Sequence, residues 1–582
     1  MNAPVEVEGL RFRYAGSEAW VLDRVDMAIQ PGETVLLLGP SGCGKSTLAL
    51  CLNGLIPHLI EGEMEGQVRI QGRSTTSQLI RQLCQQVGEV FQDPETQLVM
   101  PRVSEEVAFG LENLAVPRPA MEARIEAALS QVGLLERRND WVGSLSGGHK
   151  QRLALAAVLA LHPSILVLDE PTANLDPLAT ATFFRTLRGL KTSLGIATLL
   201  IEHRLDAALP LVDRVIALSR QGRVMAAGTP QTVFNTRPQA LEREGIWLPT
   251  TCQLAMALQT HGWPVAEYPV SLDGAETMLR RLLPPIAPSI RVPKPAPDGP
   301  SLSETGDSAV VVDGLHYSYP GGPPVLQDVH LHVAPGRFFA LVGANGSGKT
   351  TLARHLVGLL RPARGQVTIL GRPAHSQGLA QLARQVGYVF QNPEHQFVTQ
   401  RVADELAYSL QGRWGHEEAG RRVDELLHTF GLAGSAQANP FALSQGQKRR
   451  LSVATMVALG QPILILDEPT FGQDRHTAAA LMATLKSLHA AGTTILFITH
   501  DMQLVAEYAQ EVAVMQRGRV IFQGTPRALF QQPELVQQAN LALPPLAELG
   551  RRLGHPGLFT VADWLAWVEA SPARSRVAEA FS

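Results

Sequence analysis

Two short stretches place glycines, a lysine and a hydroxyl residue at the spacing that holds a chain of phosphates. Residues 39–46 read GPSGCGKS and residues 343–350 read GANGSGKT. Glycines let the backbone turn its N–H groups onto phosphate oxygens, the lysine reaches the outer phosphates, and the hydroxyl after it can ligate Mg²⁺. Each stretch follows an apolar run and precedes a helix-compatible segment, as such a loop requires. The sequence therefore predicts two nucleoside triphosphate sites.

A carboxylate pair and a histidine follow each loop at the ends of apolar runs. They are Asp169, Glu170 and His203 in the first half, and Asp467, Glu468 and His500 in the second. An aspartate that ends a strand can enter the Mg²⁺ shell, and the glutamate after it is suited to act as general base or to orient water. The histidines are predicted to contact the γ-phosphate. A single such pair is often an ordinary cap and a single histidine is usually structural, so the recurrence of the whole set favours catalysis.

The totals exclude several classes of protein. The chain has 582 residues, a formal net charge of −3 and four cysteines. Slight acidity argues against a broad nucleic-acid or anionic-lipid surface. The cysteines form neither a disulfide framework nor a metal cluster, and no apolar stretch reaches the roughly 20 residues that cross a bilayer. We therefore expect a cytosolic protein without a leader segment.

The two halves are a tandem duplication. Lys45 aligns with Lys349, Asp169 with Asp467, and His203 with His500. Each half opens with short alternating segments that suggest a small antiparallel sheet, followed by apolar strands that alternate with helical patterns. Such apolar strands are typical of a mainly parallel sheet covered on both faces. The predicted fold is α/β, and each half has a mainly parallel sheet, an antiparallel β subdomain and a helical subdomain.

Composition shifts predict the domain boundaries. We expect a first nucleotide-binding domain over 1–240, a helical appendage over 241–283, a proline-rich linker over 284–308, a second nucleotide-binding domain over 309–530 and a C-terminal helical appendage over 531–582. Seven prolines between 284 and 300 favour a semi-extended linker. Packing against the parent domain and binding of a partner or stabilisation of a dimer are equally open roles for the appendages.

The family resemblance is carried by the segments LSGGHKQR (145–152) and LSQGQKRR (443–450). They resemble the signature of ATP-binding cassette (ABC) ATPases, and LDEPTANLD, LDEPTFGQD, IEHRLD and ITHD extend the resemblance over nearly all of both halves. The resemblance implies ATP and Mg²⁺ as ligands. It also implies a head-to-tail arrangement in which each ATP lies between the phosphate loop of one domain and the signature of the other.

The resemblance assigns residues to two composite sites. Site one combines the first loop and its downstream residues with the second signature: Gly39, Ser41, Gly42, Gly44, Lys45, Ser46, Thr47, Gln92, Asp169, Glu170 and His203 with Ser444, Gly446 and Gln447. Site two combines Gly343, Asn345, Gly346, Gly348, Lys349, Thr350, Thr351, Gln391, Asp467, Glu468 and His500 with Ser146, Gly147 and Gly148.

Some of these residues have implied roles beyond the loops. The implied Mg²⁺ ligands are Ser46, Gln92 and Asp169 at site one and Thr350, Gln391 and Asp467 at site two. Tyr14 and Tyr319 match the aromatic residue that stacks on adenine, although each could instead pack within its small sheet.

The signatures depart from LSGGQ at one position each. His149 replaces the usual glutamine in the first, and Gln445 replaces a glycine in the second. Backbone N–H contacts can survive both changes, because the serine and one glycine remain. Both halves also retain the lysine, glutamate and histidine, so we predict two hydrolytically competent sites. Their relative rates stay open.

The segments after the two glutamines point to a narrower group. FQDPETQLVMPRVSEEVAFG and FQNPEHQFVTQRVADELAYS resemble the ATPases of energy-coupling factor (ECF) transporters, which import vitamins and, in related systems, cobalt or nickel. The resemblance implies an integral membrane coupling subunit and a membrane substrate-binding subunit as partners, at the cytoplasmic face of the cell membrane. Glu105, Glu106, Asp404 and Glu405 are expected either to meet basic residues of a partner or to favour a helix N-terminus.

Other functions stay open at this stage. Soluble tandem cassette proteins act on ribosomes or DNA, but these tend to carry charged helical linkers, zinc-binding cysteines or a basic surface, which this chain lacks. The ATPase of a sugar importer and that of an exporter are further alternatives.

Overall fold

The structure is a computed structural model that describes residues 3–282, 308–362, 364–410 and 414–570. The chain divides into two compact units, Met1–Leu279 and Arg280–Ser582. All of the predicted proline-rich linker except its last residue lies outside the described residues. Among the described residues, no helix has the length and apolar character needed to span a membrane.

The first unit contains two sheets. Its strands are β1 (Val5–Tyr14), β2 (Leu22–Ile29), β3 (Thr34–Leu38), β4 (Gly62–Ile70), β5 (Arg73–Ser74), β6 (Val87–Val90), β7 (Ile165–Asp169), β8 (Ala197–Ile201), β9 (Arg214–Leu218) and β10 (Val224–Gly228). An antiparallel sheet has the order β2-β1-β4-β5, and a six-stranded sheet has the order β10-β9-β3-β8-β7-β6. The larger sheet is parallel except for β10 at its edge.

Helices surround the larger sheet of the first unit. They are α1 (Lys45–Leu52), α2 (Leu55–His58), α3 (Ile80–Gln86), α4 (Val103–Asn113), α5 (Arg118–Gln131), α6 (Gly147–Leu159), α7 (Pro177–Leu194), α8 (Leu205–Ala208), α9 (Pro230–Thr236), α10 (Pro238–Arg243), α11 (Thr250–Thr260) and α12 (Leu272–Leu282).

The second unit repeats this strand topology. Its strands are β11 (Val310–Ser318), β12 (Pro324–Val333), β13 (Phe338–Val342), β14 (Arg364–Ile369), β15 (Arg372–Pro373), β16 (Val386–Val389), β17 (Ile463–Asp467), β18 (Thr494–Thr499), β19 (Glu511–Gln516) and β20 (Arg519–Gly524). The sheet orders are β12-β11-β14-β15 and β16-β17-β18-β13-β19-β20.

Helices complete the second unit in the same order, except that none of its described residues forms a counterpart of α2. They are α13 (Lys349–Leu356), α14 (Leu379–Ala383), α15 (Val402–Leu410), α16 (His416–Thr429), α17 (Gln445–Val457), α18 (Arg475–Ala490), α19 (Met502–Tyr508), α20 (Pro526–Phe530), α21 (Pro533–Gln538), α22 (Pro545–Arg552) and α23 (Val561–Glu569).

The central strand β13 shows why the apolar runs form a covered parallel sheet. All five of its residues are buried. Because side chains alternate across a strand, Phe339 and Leu341 enter a core with the antiparallel sheet and α13, whereas Phe338, Ala340 and Val342 enter a second core with the helices. Both faces are covered, so both sets must be apolar. The predicted α/β fold with an antiparallel subdomain and a helical subdomain is confirmed.

Each appendage packs against its parent unit. In the first unit, the Tyr268 backbone N–H donates to Asn235 Oδ1 (2.6 Å) and Gln231 Nε2 donates to the Tyr268 carbonyl (3.0 Å), which fixes the appendage to α9. In the second unit, Leu541, Ala547 and Phe559 belong to the helix-side core. The positions of the domain boundaries themselves stay predictions.

Candidate active site

Each phosphate loop runs from the central strand of the larger sheet into the following helix. Gly44 directly precedes α1 with φ at 98°, and a Cβ there would lie 2.7 Å from Leu22 Cδ2. Gly348 precedes α13 with φ at 106° and is equally confined. Only glycine combines this left-handed backbone with so little space. The spacing of the motif is therefore explained by local geometry as well as by its predicted ligand.

The loop lysines point inward. Lys45 Nζ donates to the carbonyls of Gly39 (2.8 Å) and Pro40 (3.0 Å). Lys349 Nζ donates in the same way to Gly343 (2.8 Å) and Ala344 (2.9 Å). Each ammonium group is thus held inside the curve of its loop, where the predicted phosphates would lie.

The other predicted loop residues surround these lysines. Gly42 and Gly346 also have positive φ, at 80° and 76°, and a Cβ on either would meet nothing within 4 Å, so both face open space. Ser41 and Asn345 are their neighbours at the tips of the loops. Thr47 and Thr351 lie in the first turns of α1 and α13, with buried side chains.

Hydroxyl and carboxylate groups meet at the predicted magnesium positions. The Ser46 side chain hydrogen-bonds to Asp169, and Thr350 Oγ1 donates to Asp467 Oδ2 at 2.8 Å. Burial raises the pKa of both aspartates above its ordinary value, against the opposing effect of the hydroxyl bonds and of the loop lysines. Hard oxygen ligands of this kind fit a small divalent cation such as Mg²⁺.

Glu170 is held at both of its carboxylate oxygens. Gln92 Nε2 donates to Oε2 at 2.8 Å, and His203 Nε2 lies 2.8 Å from Oε1. Burial alone would raise the pKa of Glu170, but the charge and hydrogen bond of His203 together with the charge of Lys45 outweigh burial and hold the pKa below its ordinary value. Glu170 is therefore ionised at neutral pH, as a general base requires. Gln92 contacts this glutamate, and its predicted place among the Mg²⁺ ligands stays a prediction.

Glu468 has a related environment that differs in detail. His500 Nδ1 lies 2.8 Å from Glu468 Oε1, and Thr499 Oγ1 donates to Oε2 at 3.3 Å. Both glutamates have positive φ, 45° at Glu170 and 49° at Glu468. Such strain at a residue other than glycine is characteristic of functional sites.

Three residues near the second site were not predicted from the sequence. Arg449 is buried and donates from Nη1 to the Phe390 carbonyl and from Nη2 to the Gln391 carbonyl, both at 2.5 Å. Tyr388 donates to Asp467 Oδ2 at 3.2 Å. Thr499 is the third, described above. Comparison of the two halves position by position would have drawn attention to them, because Gln151, Glu89 and Glu202 stand at the equivalent places.

Both signature serines cap the N-terminus of a helix. Ser146 caps α6, and its hydroxyl lies 2.5 Å from His149 Nδ1. Ser444 caps α17, where its backbone N–H donates to Gln447 Oε1 at 3.0 Å. His149 therefore engages the serine hydroxyl with its side chain, whereas Gln447 engages the serine backbone.

The signature glycines differ in how much room surrounds them. A Cβ at Gly148 would lie 2.9 Å from Ala179 Cβ, and one at Gly446 would lie 2.8 Å from Thr477 Cγ2. At Gly147 the nearest atom would be 3.8 Å away. Gln445 stands at the position of Gly147, so the second signature departs from the pattern where a side chain fits.

The predicted adenine-stacking tyrosines lie beside the phosphate loops. The hydroxyls of Tyr14 and Thr47 share a hydrogen bond of 2.9 Å, and those of Tyr319 and Thr351 are 3.4 Å apart. Each tyrosine is 36% exposed, so part of each residue is accessible to a ligand. Each also packs edge-on against an aromatic neighbour in the small sheet, Phe12 or Tyr317.

For two of the four acidic residues after the glutamines, the structure favours the second of the two expected roles, because they lie in the first turns of α4 and α15 and face their own backbone. Glu106 is buried and accepts hydrogen bonds from the backbone of Val99 (2.9 Å) and Met100 (2.6 Å). Glu405 is buried in the same way against Val398 and Thr399. Because these carboxylates satisfy backbone donors of their own unit, they are not available to basic residues of a partner. Glu105 and Asp404 are exposed.

Comparison with known proteins identifies relatives over nearly the whole chain. Residues 22–173 and 326–471 match the ABC transporter family. The HMP/thiamine import ATP-binding protein YkoD, so named, of Bacillus subtilis is 40% identical over 544 residues, which are 93% of this chain and 95% of the relative. An ABC transporter ATP-binding protein of Methanosarcina acetivorans is 38% identical over 97% of this chain and 94% of its own length. A solved structure of cbiO1 from Clostridium perfringens, part of the ABC transporter complex cbiONQ, covers 42% of this chain and 99% of its own, with 32% identity and a TM-score of 0.37.

Proposed function

The chain belongs to the ABC transporter family as an ATP-binding and ATP-hydrolysing subunit, and on this premise we propose that it drives import through an ECF-type complex. The proposed cargo is a vitamin or vitamin precursor of the HMP/thiamine kind; a cobalt or nickel ion is the second choice. The observation that carries this proposal is the 40% identity to YkoD over 93% of the chain. Because the sequence identity extends over both halves and the appendages, it supports a shared function of the two proteins better than a single motif would.

Hydrolysis at each proposed site uses groups that the chain already orients. Glu170 is ionised, and Gln92 and His203 hold its two oxygens, so it is placed to accept a proton from an attacking water. Lys45 supplies positive charge at the loop. Mg²⁺ held by Ser46 and Asp169 would neutralise phosphate charge. Lys349, Thr350, Asp467, Glu468 and His500 have the corresponding roles in the second unit.

We further propose that ATP lies between the loop of one unit and the signature of the other, as the family resemblance implies. ATP binding would then bring the units together and hydrolysis would release them, and a membrane partner would follow this change of shape. The covalent connection keeps the two units at high effective concentration, so closure does not depend on the protein level.

Exposed apolar side chains on the segments after the glutamines support a membrane-subunit partner. Val99 is 62% exposed and Val398 is 66% exposed, at equivalent places of the two units. Phe109 and Tyr408, also equivalent, project from the surfaces of α4 and α15. Because apolar side chains are exposed at the same places in both units, we propose that these segments contact the partner. We therefore propose that the protein lies at the cytoplasmic face of the membrane and contacts the membrane only through its partners. Nucleic acid is not among the proposed partners.

Co-purification from membranes tests the proposal. The tagged protein, expressed from its native locus, is solubilised in mild detergent, and the proteins recovered with it are identified by mass spectrometry. We expect a polytopic coupling subunit and a small apolar substrate-binding membrane protein, and ligand binding to the latter would then identify the cargo. A double Val99→Asp and Val398→Asp variant should lose both, whereas Glu112→Gln on the exposed face of α4 should retain them.

Other recoveries would contradict the import proposal. Ribosomal or DNA-repair proteins without a membrane subunit would leave only the ATPase assignment. Recovery of a single large membrane protein that expels its substrate would indicate an exporter, and a periplasmic or extracellular sugar-binding protein would indicate a sugar importer.

A further inference from the structure

A hydrogen-bonded connection leads from His203 to the helical appendage of the first unit. We call residues 203–208 the switch segment; it contains His203 and the four-residue helix α8. Asp206, in α8, accepts two hydrogen bonds from Thr250, one from the backbone N–H at 3.2 Å and one from the hydroxyl at 2.7 Å. Thr250 is the first residue of the appendage helix α11 and is buried. The appendage is thus fastened three residues from the predicted catalytic histidine.

The switch segment of the first unit has little internal support. Arg204 stands at the N-cap of α8 and makes no side-chain capping bond there. The equivalent residue of the second unit, Asp501, caps the seven-residue helix α19 by accepting from the N–H groups of Gln503 and Leu504. A capped helix of two turns is more stable than an uncapped single turn. The first switch segment therefore depends on contacts from outside itself.

Those contacts come from three directions. Glu202 Oε1 accepts from the backbone N–H groups of His203 (2.8 Å) and Arg204 (3.0 Å), at the start of the segment. Arg204 Nη1 donates to the Leu175 carbonyl at 2.7 Å and to Thr180 Oγ1 at 3.0 Å, which connects the segment to the loop after β7 and to α7. Asp206 supplies the third connection, to α11. The second unit cannot repeat it in this form, because Pro545 stands at the place of Thr250 and has neither an N–H nor a hydroxyl group to donate.

We propose that Asp206 is a positioning residue for His203: by holding the N-terminus of α11, it lets the appendage determine where the switch segment lies. The negative carboxylate also suits the positive end of an 11-residue helix. The appendage then acts on hydrolysis at the first site alone, and the two sites differ in this respect. This inference rests on the proposed role of His203.

The consequence is a change in turnover without a change in ATP affinity. Loosening α11 would let the switch segment move, so His203 would spend less time beside Glu170. The phosphate loop is formed by other elements and would keep its geometry. We therefore expect a lower kcat and an unchanged KM for ATP.

Thr→Val substitutions at neighbouring positions provide a matched test in the full-length protein. Thr250→Val removes the hydroxyl that bonds Asp206. Thr251→Val removes a buried hydroxyl of the same helix that donates to the Pro269 carbonyl at 2.7 Å, within the appendage. Thr250→Ser keeps the bond and serves as rescue. The readouts are steady-state ATP hydrolysis and amide hydrogen exchange of residues 203–208.

For Thr250→Val we expect the kcat of the first site, isolated by adding Glu468→Gln to every variant, to fall about threefold to fivefold with KM for ATP unchanged, and exchange in the switch segment to accelerate about tenfold. Thr250→Ser should restore both, and Thr251→Val should change neither. Equal effects of the two valine variants, or exchange that accelerates only within 250–260, would overturn the inference.

The proposed role of His203 is tested separately with His203→Ala. If that variant hydrolyses ATP at the normal rate, the histidine has no catalytic role, and the proposed function of the site fails at this residue. If His203→Ala hydrolyses ATP slowly while Thr250→Val shows normal hydrolysis and normal hydrogen exchange in the switch segment, the role of His203 stands. Positioning by Asp206 is then excluded.

Discussion

The two predicted catalytic glutamates stand in the same motif but have different neighbours. Gln92 and His203 contact Glu170, whereas Thr499 and His500 contact Glu468. In both units a histidine lies 2.8 Å from the carboxylate. Each glutamate is therefore oriented by at least two side chains, which supports ATP hydrolysis at both sites. Because the neighbours differ, the two hydrolysis rates can differ.

Single substitutions of these glutamates should each reduce ATP hydrolysis. Glu170→Gln and Glu468→Gln remove the proposed proton acceptor while keeping the side-chain size, and we expect a loss of about 100-fold at the altered site. The measurement is single-turnover ATP hydrolysis with excess enzyme. Glu122→Gln, on an exposed helix face, is the control. A normal rate in either variant would remove that site from the mechanism.

Glu89 is a second point at which the units differ. It lies in β6, hydrogen-bonds to Asn53, and has Tyr388 as its equivalent in the other unit. Burial, opposed by the bond from Asn53 and reinforced by the negative charge of Asp169, raises its pKa to about 7. The folded chain therefore binds a proton at this residue at pH values where the unfolded chain, with an ordinary pKa of 4.5, does not.

This difference predicts how Glu89→Gln alters stability with pH. A carboxyl whose pKa is raised on folding stabilises the protein fully below pH 4.5 and loses that contribution as pH rises through 7. Glutamine resembles the protonated form at every pH. Relative to the unsubstituted chain, the Glu89→Gln variant should therefore gain about 2 kcal/mol in free energy of unfolding between pH 5.5 and pH 8.5. Calorimetry without nucleotide measures this difference. Glu112→Gln, on an exposed face, should show no such trend, and a parallel shift at both pH values would contradict the prediction.

At the scale of elements, close helix packing explains which signature glycine is indispensable. Helix α6 begins against α7, and Gly148 provides the contact with Ala179. Gly147 in the same turn has room for a Cβ, whose nearest neighbour would be the Asn174 carbonyl oxygen at 3.8 Å. Packing within the first unit therefore does not require glycine at position 147. In the second unit the equivalent position is occupied by Gln445, which has a side chain.

Alanine substitutions should separate the two glycines. Gly148→Ala forces α6 and α7 apart, and we expect a loss of about 1 to 3 kcal/mol in the free energy of unfolding. Gly147→Ala should change it by less than about 0.5 kcal/mol. Urea unfolding followed by circular dichroism measures both. Comparable destabilisation by the two variants would mean that the close approach to Ala179 is not the cause.

The loop that carries Val99 is held by a buried carboxylate from the next helix. Glu106 accepts from two consecutive N–H groups of this loop, and Glu405 does the same in the second unit. A carboxylate that accepts backbone bonds in a buried place fixes the loop strongly. The exposed valines are therefore presented from a rigid support.

Substitution of Glu106 should weaken recovery of the membrane partners. Glu106→Gln keeps an acceptor oxygen but removes the negative charge that strengthens both backbone hydrogen bonds, so the loop should loosen and co-purification should fall several-fold. The exposed neighbour Glu105 offers the matched control, Glu105→Gln. If Glu105→Gln alone reduces recovery, direct charge contact with the partner explains the acidic pair better than support of the loop.

At the scale of the whole molecule, each unit has its own core. In the first unit one core joins the antiparallel sheet, α1 and the larger sheet, and the second unit contains a matching core together with the helix-side core. Independent cores of this kind allow domains to fold alone. The chain thus has the organisation of two complete ATPase units joined in one polypeptide.

Separated halves should fold but should not hydrolyse ATP efficiently. If each ATP needs a signature from the other unit, fragments 1–282 and 308–582 should each unfold cooperatively yet show at most about 1% of the intact rate, because the missing signature removes transition-state contacts. Mixing them at high concentration should restore part of the activity. Full activity in an isolated fragment would exclude composite sites.

The sequence by itself determined the fold class, the duplication and the residues of the loops. It did so because apolar runs such as Thr34–Leu38 and Phe338–Val342 are local patterns, and β3 and β13 have these bounds. Phosphate loops likewise depend on residues that are adjacent in the chain, so spacing alone can identify them.

Tertiary structure decided features that the spacing of residues along the chain does not reveal. Glu106 turns inward because unpaired N–H groups lie within its reach, and no local pattern reveals that choice against the exposed Glu105. Arg449 is buried because the Gln391 carbonyl, 58 positions earlier, accepts its bond. The contact of Asp206 with Thr250 spans 44 positions. Such pairs follow from how strands and helices pack, which the sequence of either partner does not encode alone.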